Sequence, residues 1–410
     1  MKKVLVVDDN PAILTIASNR LQSESVQTLT ADNGIDGLHM VREHRPDVVV
    51  LDLMMPKMHG YTLIQEIRSD PNLSHVKILV TSAKTYSSDV ERTRRLGADR
   101  YLSKPYDLQE FWETIAELLG QKQLPFTIRF WGTRGSIATP GQATTKYGGN
   151  TACTEVRCGE QLLILDAGTG IRVLGQSLLS EFKEAPINGH IFIGHTHWDH
   201  IQGFPFFAPA YNPSNEFAIY SLHGAEKPLD KVFRGQMDSD YFPVLLSDMK
   251  AHLEFCELES EVHLGEIHVS YIFLNHPGLA VGFRISFAGR SLVYLSDHEN
   301  YGRLTPGGPN PNPLDLEIAR LAENAELLIS EAQYTEEEYA LKKGWGHSTF
   351  LDALERAAQA KVKRLAIIHH DPSHDDAFLD RILEFCQQTI ADRNYNFSCF
   401  LAQEGTSIKL

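Results

Sequence analysis

Six consecutive residues, His195-Thr196-His197-Trp198-Asp199-His200, contain four side chains of metal-ligating type. A lone histidine is usually a satisfied core or surface residue, but imidazoles and a carboxylate at this density form a donor set that suits Zn²⁺, Mn²⁺ or Fe²⁺. The run follows a strand-like stretch at 191–194. Alternation along an extended segment sends His195 and His197 to one side, and the loop beyond can turn Asp199 and His200 onto a neighbouring site. One run does not complete two metal sites, so partners are expected at other strand ends. Asp166 ends the apolar run 162–165, His276 ends 271–275, Asp297 ends 292–296, and His369 and His370 end 365–368. A sheet edge would gather all of these, whereas a histidine-rich solvated surface would have to repeat the coincidence at each. Two metals so held lower the pKa of a shared water toward ~7 and clamp the attacking and leaving oxygens of an in-line displacement at phosphorus.

A second constellation lies in the first 120 residues. Asp8 and Asp9 follow an apolar run at 4–7, Asp52 follows one at 48–51, Thr81 follows one at 78–80, and Lys104 and Pro105 follow a fifth strand. Continuous apolar runs suit strands buried on both faces of a parallel sheet. In a doubly wound sheet the C-terminal strand ends share one edge, so these groups should converge. Clustered carboxylates there hold Mg²⁺ through oxygen. The ion and the Lys104 ammonium then offset phosphate charge while a carboxylate attacks phosphorus.

The elements that must position these groups change character along the chain. Up to Gly120, β-type runs alternate with helix-type segments; the last helix opens at Asp107, with Glu110 three residues on, and stops at Gly120. A short joint, 121–125, follows. From Phe126 onward many strands are separated by Gly- and Pro-rich loops, with helices near 171–182, 348–360 and 375–390. The expected domains are therefore 1–120 and 126–410, joined by 121–125.

Composition narrows the function classes. The chain has 410 residues, 42% hydrophobic and 22% charged, which is ordinary for a soluble globular protein. Its apolar runs fall short of the ~18 residues that span a membrane. The basic, apolar N-terminus meets acidic residues at Asp8 and Asp9, too soon for a signal peptide, so a cytoplasmic protein is expected. Five scattered cysteines without a CxxC pair argue for buried, reduced thiols. The net charge of −15 argues against a broad grip on nucleic acid.

The first 120 residues resemble a response-regulator receiver domain. The resemblance implies a flavodoxin-like doubly wound fold with Asp52 as phosphoacceptor. It also implies Asp9 as a direct Mg²⁺ ligand, Asp8 as one partly through water, and the main-chain carbonyl of Met54 as a further ligand. Thr81 would bond the phosphoryl group, Lys104 would neutralise it, and Tyr101 would be the aromatic switch. A cognate sensor histidine kinase or phosphotransfer protein is the implied partner. Such domains commonly pair through the face near their last helix, which makes a homodimer an expectation.

Nearly everything after Phe126 resembles the metallo-β-lactamase superfamily, an αββα sandwich, so the fold class is α/β throughout. The resemblance assigns His195, His197 and His276 to one metal and Asp199, His200 and His369 to the other. Asp297 bridges them, and Asp166 orients the ligand loop from behind. His369 aligns as the ligand rather than His370, which falls to the supporting shell. Zn²⁺ and Mn²⁺ are the metals expected. His197 stands where the flavodiiron branch typically has glutamate, which places hydrolysis ahead of oxygen or nitric-oxide reduction.

Two more motifs, Gly346-His347-Ser348-Thr349 and Ser330-Glu331-Ala332-Gln333-Tyr334, resemble the phosphodiesterase branch of transfer-RNA 3′-processing nucleases and cyclic-nucleotide phosphodiesterases. There His347 would contact the phosphate or protonate the leaving oxygen, and Glu331 would orient it; Asp199 is counted with them as catalytic. Ser348 is also a candidate helix N-cap. Ser330 departs from the branch's usual histidine, and the segment 200–276 lacks the Gly-rich basic arm that grips transfer RNA. With the acidic balance, this points to a small phosphodiester or a cyclic nucleotide. The rivals are a thioester or lactone hydrolase and a metal-binding sensing module. The loops Gly132-Thr133-Arg134-Gly135-Ser136 and Tyr147-Gly148-Gly149-Asn150-Thr151 could border the pocket, with Arg134 meeting a phosphate; their glycines read as turn geometry. Trp198 reads as a packing residue more than a substrate stacker. The chain lacks a recognisable helix-turn-helix, so DNA binding is not expected.

Overall fold

The computed structural model describes residues 2–22, 26–83, 87–120, 124–222, 227–305 and 312–410. The chain divides into two compact units, Met1–Gln123 and Leu124–Leu410. Residues 121–123 of the expected joint lie outside the described residues. Leu124 and Pro125 belong with the second unit: their carbonyls accept from Arg290 and from the Gly159 amide.

The first unit is a five-stranded parallel sheet in the order β2-β1-β3-β4-β5. Its strands are β1 Lys3–Val7, β2 Gln27–Ala31, β3 Val48–Asp52, β4 Lys77–Ser82 and β5 Arg100–Ser103. The continuous apolar runs follow from burial on both faces. Val4, Val6, Val48 and Val50 pack under the helices Pro11–Gln22 and Leu108–Leu118. Leu5, Val7, Val49 and Leu51 pack under Gly34–His44 and Gly60–Ser69. The order reverses at β1 and β3, the switch point at which such sheets open a crevice.

The second unit holds two seven-stranded sheets, ordered β11-β10-β9-β8-β7-β6-β19 and β12-β13-β14-β15-β16-β17-β18. The first sheet comprises β6 Phe126–Gly132, β7 Cys153–Cys158, β8 Gln161–Leu165, β9 Asn188–Phe192, β10 Glu216–Ser221, β11 His252–Glu257 and β19 Ser407–Lys409. The second comprises β12 Val262–Leu264, β13 Ile267–Leu274, β14 Ala280–Phe287, β15 Arg290–Leu295, β16 Leu327–Glu331, β17 Arg364–Ile368 and β18 Ser398–Leu401.

Alternation explains the layering. On β8, Leu163 and Leu165 enter the core between the sheets, while Leu162 and Ile164 face the helix Gly170–Phe182. On β17, Ala366 and Ile368 face inward, while Leu365 and Ile367 meet the helices Phe350–Gln359 and Asp376–Asp392. Four layers, helix-sheet-sheet-helix, result. Among the described residues no helix is long and apolar enough to cross a membrane.

One helix start differs from expectation. Thr349, not Ser348, caps Phe350–Gln359, in a reciprocal capping box with Asp352. The Ser348 hydroxyl instead donates to the His298 carbonyl at 2.6 Å.

Candidate metal centre and receiver site

Strands β8 and β9 run parallel in one sheet of the second unit and β15, β16 and β17 in the other, and the loops beyond them and beyond β13 carry the candidate ligands. One donor atom each from His195, His197 and His276 lies within a 4.8 Å cluster, and Asp199, His200, Asp297 and His369 form another. Asp297 stands between them. Its Oδ2 lies 3.4 Å from His195 Nε2, 3.4 Å from His200 Nε2 and 3.7 Å from His276 Nε2, and its Oδ1 lies 3.2 Å from His369 Nε2. Apart from His197, which is exposed, all of these residues are buried.

The imidazoles are held from behind. His200 Nδ1 donates to Asp166 Oδ2 at 2.7 Å, His276 Nδ1 to the Gly346 carbonyl at 2.8 Å, and His369 Nδ1 to Gln333 Oε1 at 3.1 Å. His195 Nδ1 lies 3.2 Å from Ser296 Oγ. Each bond commits Nδ1 and leaves Nε2 turned inward with its lone pair, the form in which histidine binds a metal. Asp166 is tied on three sides, since its carboxylate also accepts from the Gly194 amide at 2.7 Å and from the Tyr294 hydroxyl. Asp166 and His369 both sit at left-handed φ, +60° and +62°, a costly backbone at non-glycine residues that clusters at functional sites.

The donor set fits a pair of divalent ions. His195 Nε2, His200 Nε2 and Asp297 Oδ1 are buried without a hydrogen-bond partner, and all three residues belong to the two clusters, where a bound ion would offset the cost. Charges in the cage are strongly coupled. Burial would push the Asp297 carboxyl up, but the surrounding His369, His200 and His195 hold it well below the usual carboxylate range. Burial also opposes charge on His200, yet Asp199, Asp297 and Asp166 raise it. His276 is pushed down to about 4 by burial, against the pull of Asp297.

Two close approaches shape the cage. A Cβ on Gly135 would stand 2.1 Å from His369 Nδ1, and one on Gly346, whose φ is +91°, 2.2 Å from His276 Nδ1. Next to Gly135, the Ser136 amide donates to Asp199 Oδ2 at 2.7 Å. His347 Nδ1 lies 4.0 Å from Asp297 Oδ2 and 3.6 Å from Glu331 Oε2. The latter is an ion-pair separation, too long for a hydrogen bond. Glu331 Oε1 accepts from the Ser348 amide at 2.7 Å, so it fixes the backbone directly after His347. Burial pushes the Glu331 carboxyl up, against the influence of His347. His347 lines an open cavity of about 430 Å³, together with Ser136, Thr196, His197, Trp198, Asp199, Asp297 and His369.

Several expectations are corrected. Arg134 does not face the cavity: it is fully buried, with its guanidinium donating to the carbonyls of Gly148, Asp371 and His374. Trp198 is not packed; it is 78% exposed. His370 stands away from both clusters, with Nε2 3.0 Å from the Ala402 carbonyl and its ring against Tyr147. Burial drives His370 down to about 3. The supporting partners Ser296, Gln333 and Tyr294 carry no ligand signature of their own. Gln333 alone lies within a motif, two residues after Glu331.

In the first unit, Lys104 Nζ bonds Asp8 Oδ2 at 2.6 Å and Asp52 Oδ2 at 2.8 Å. Burial opposes the Lys104 charge, but Asp52 and Asp8 hold the ammonium above its ordinary pKa. Thr81 is buried on β4 in register with Asp52. The Met54 amide donates to Asp52 Oδ1 at 3.2 Å, and Asp9 stands exposed next to buried Asp8. Tyr101 is half-buried on β5.

Fold and site thus define a two-unit protein: a carboxylate-lysine crevice on a doubly wound sheet, and a histidine-aspartate cage on a four-layered sandwich. Residues 4–116 match the response regulator receiver domain family and residues 162–370 the beta-lactamase superfamily domain, and the chain belongs to both families. The polar-differentiation response regulator DivK of Brucella anthropi is 31% identical over 119 residues, 29% of this chain and 97% of that protein. The metallo-beta-lactamase fold protein YhfI of Bacillus subtilis shares the fold, at 16% identity and TM-score 0.50, over 70% of this chain and 100% of its own. Human tRNase Z, short form, aligns over 69% of this chain and 98% of its own, at 20% identity and TM-score 0.47.

Proposed function

We propose that residues 126–410 are a dinuclear-metal phosphodiesterase for a small phosphodiester or cyclic nucleotide, and that phosphorylation of Asp52 in residues 1–120 sets its rate. The observation that carries the reaction class is the placement of His347. It lines the cavity beside the cage, with Nδ1 turned to Asp297 and Glu331, which leaves Nε2 for a substrate oxygen. Two divalent ions, Zn²⁺ or Mn²⁺, supply Lewis-acid charge and a water nucleophile near neutral pH. His195, His197 and His276 hold one; Asp199, His200 and His369 hold the other; Asp297 is shared. His347 binds a phosphoryl oxygen and gives a proton to the leaving oxygen. Glu331 keeps that imidazole in place. In the first unit, Asp9, Asp8 and the Met54 carbonyl hold Mg²⁺, Lys104 and Thr81 meet the phosphoryl group on Asp52, and Tyr101 responds to it. A sensor histidine kinase or phosphotransfer protein supplies the phosphoryl group, and a homodimer is the expected assembly.

The test is hydrolysis of a chromogenic phosphodiester by metal-reconstituted full-length protein and by His197→Ala, with and without beryllofluoride. Turnover that falls at least ~100-fold in the variant supports the dinuclear reading; a beryllofluoride effect supports control by the receiver. Cleavage of a thioester or lactone, with the phosphodiester untouched, would overturn it.

A further inference from the structure

Four loops that build the cage each leave one large apolar side chain bare. Trp198, between His197 and Asp199, is 78% exposed; Ile137, after Ser136, is 60%; Trp345, before Gly346, is 61%; and Leu279 is 46%. Each neighbours a residue that touches the site. The Ser136 amide bonds Asp199, and the Gly346 carbonyl accepts from His276. A Cβ on Gly278, next to Leu279, would lie 4.0 Å from His197 Nε2. Scattered single apolar residues are normal on a surface, but a bare one on each of four separate loops around one polar cavity marks a ligand site.

The cavity lining sharpens this. Among the described residues that line it, none is Lys or Arg. Beyond the contact from His347, the protein's own grip on a phosphate ester therefore has to come from groups that bind the parts flanking the phosphorus. Two of the four bare side chains are indoles, whose faces suit a planar heterocycle, and base-on-aromatic stacking is worth roughly tenfold or more in binding per base. An apolar rim would equally suit an acyl chain, but the net charge of −15 disfavours an anionic lipid surface.

We infer that this rim, with Trp198 foremost, is a stacking platform for a nucleobase, so the substrate class is a nucleobase-bearing phosphodiester. The reaction rests on the phosphodiesterase reading above; the binding does not. Trp198, which lines the cavity, is the specificity-determining residue that holds the base while the phosphorus lies at the cage.

Two esters with the same leaving group separate the claims: thymidine 5′-(p-nitrophenyl phosphate) and methyl p-nitrophenyl phosphate. The metal-loaded full-length protein should show a KM at least about fivefold lower for the thymidine ester. Trp198→Ala should remove most of that preference, raising KM for the thymidine ester about tenfold more than for the methyl ester, with kcat less affected. AMP should quench the tryptophan emission of the parent protein, and much less that of Trp198→Ala. Equal KM values for the two esters, or absence of AMP binding, would overturn the inference while leaving the phosphodiesterase reading standing. AMP binding that depends on Trp198, with neither ester cleaved, would keep the platform and sink the phosphodiesterase reading. Trp198-dependent sedimentation with phosphatidylglycerol vesicles, without AMP binding, would replace the nucleobase by a lipid.

Discussion

Each of four buried imidazoles in the cage is asked to present Nε2 with its lone pair, and the protein enforces this by giving Nδ1 a partner behind it. Asp166 does this for His200 with a full charge, and two further donors, the Gly194 amide and the Tyr294 hydroxyl, lock the carboxylate itself. An amide at that position cannot satisfy all three: it either offers an N–H to His200 or turns one toward the Gly194 amide. Asp166→Asn is therefore expected to weaken metal binding by ~10–100-fold and to leave the fold intact, as removal of such supporting partners generally does. Competition titration with a chromogenic chelator reads this directly; affinity equal to the parent's would show that Asp166 does not set the His200 tautomer. Residue type alone pointed to Asp166 and to the candidate ligands that the structure brings together, because histidine and aspartate after apolar runs are few enough to stand out. Ser296 and Gln333 were not legible. A serine or glutamine that supports an imidazole has the same sequence appearance as one that faces water, and only proximity distinguishes them.

Loops carry the ligands, and their shape depends on what the neighbouring imidazoles leave no room for. Gly135 belongs to a loop whose glycines read, from sequence, as turn geometry, and Gly346 opens the motif that carries His347. The structure gives each a more specific reason: Gly135 lies against His369 in one cluster and Gly346 against His276 in the other. Gly135→Ala should displace His369, and Gly346→Ala should displace His276 and strain a left-handed backbone. Each variant should bind about one metal equivalent in place of two, and lose at least ~100-fold in activity. Metal content by atomic emission after dialysis decides it; two equivalents retained in both variants would mean that the cage adapts to the added methyl groups. At this scale the strands were the readable part, since runs buried on both faces of a sheet are continuous and apolar and the ligands fall at their ends. Arg134 was misread because a guanidinium beside a glycine loop suits a phosphate and a set of carbonyls equally well. Three carbonyls distant in sequence, Gly148, Asp371 and His374, claimed it.

For the whole molecule, the question is whether a carboxylate in one compact unit informs a metal cage in the other. Each unit has its own core, so each can respond to its own ligand without unfolding the other. Control then has to be a coupling free energy between two sites, and such coupling is reciprocal for binding. If beryllofluoride at Asp52 changes the Kd of a non-hydrolysable phosphorothioate at the cage by some factor, the phosphorothioate must change the Kd of beryllofluoride by the same factor, about 5- to 150-fold for typical couplings of roughly 1–3 kcal/mol. Calorimetric titration of each ligand, with and without saturation by the other, measures both numbers on one sample. Equal factors at all protein concentrations place the coupling within one chain. A factor that grows with concentration, alongside a rise in scattering mass on beryllofluoride addition, places it in a homodimer. If neither affinity responds to the other ligand while turnover still changes with beryllofluoride, the receiver acts on the chemical step or on product release, which reciprocity of binding does not constrain. If turnover is unchanged as well, the two units share a chain without sharing a signal, and control of the cage by Asp52 fails.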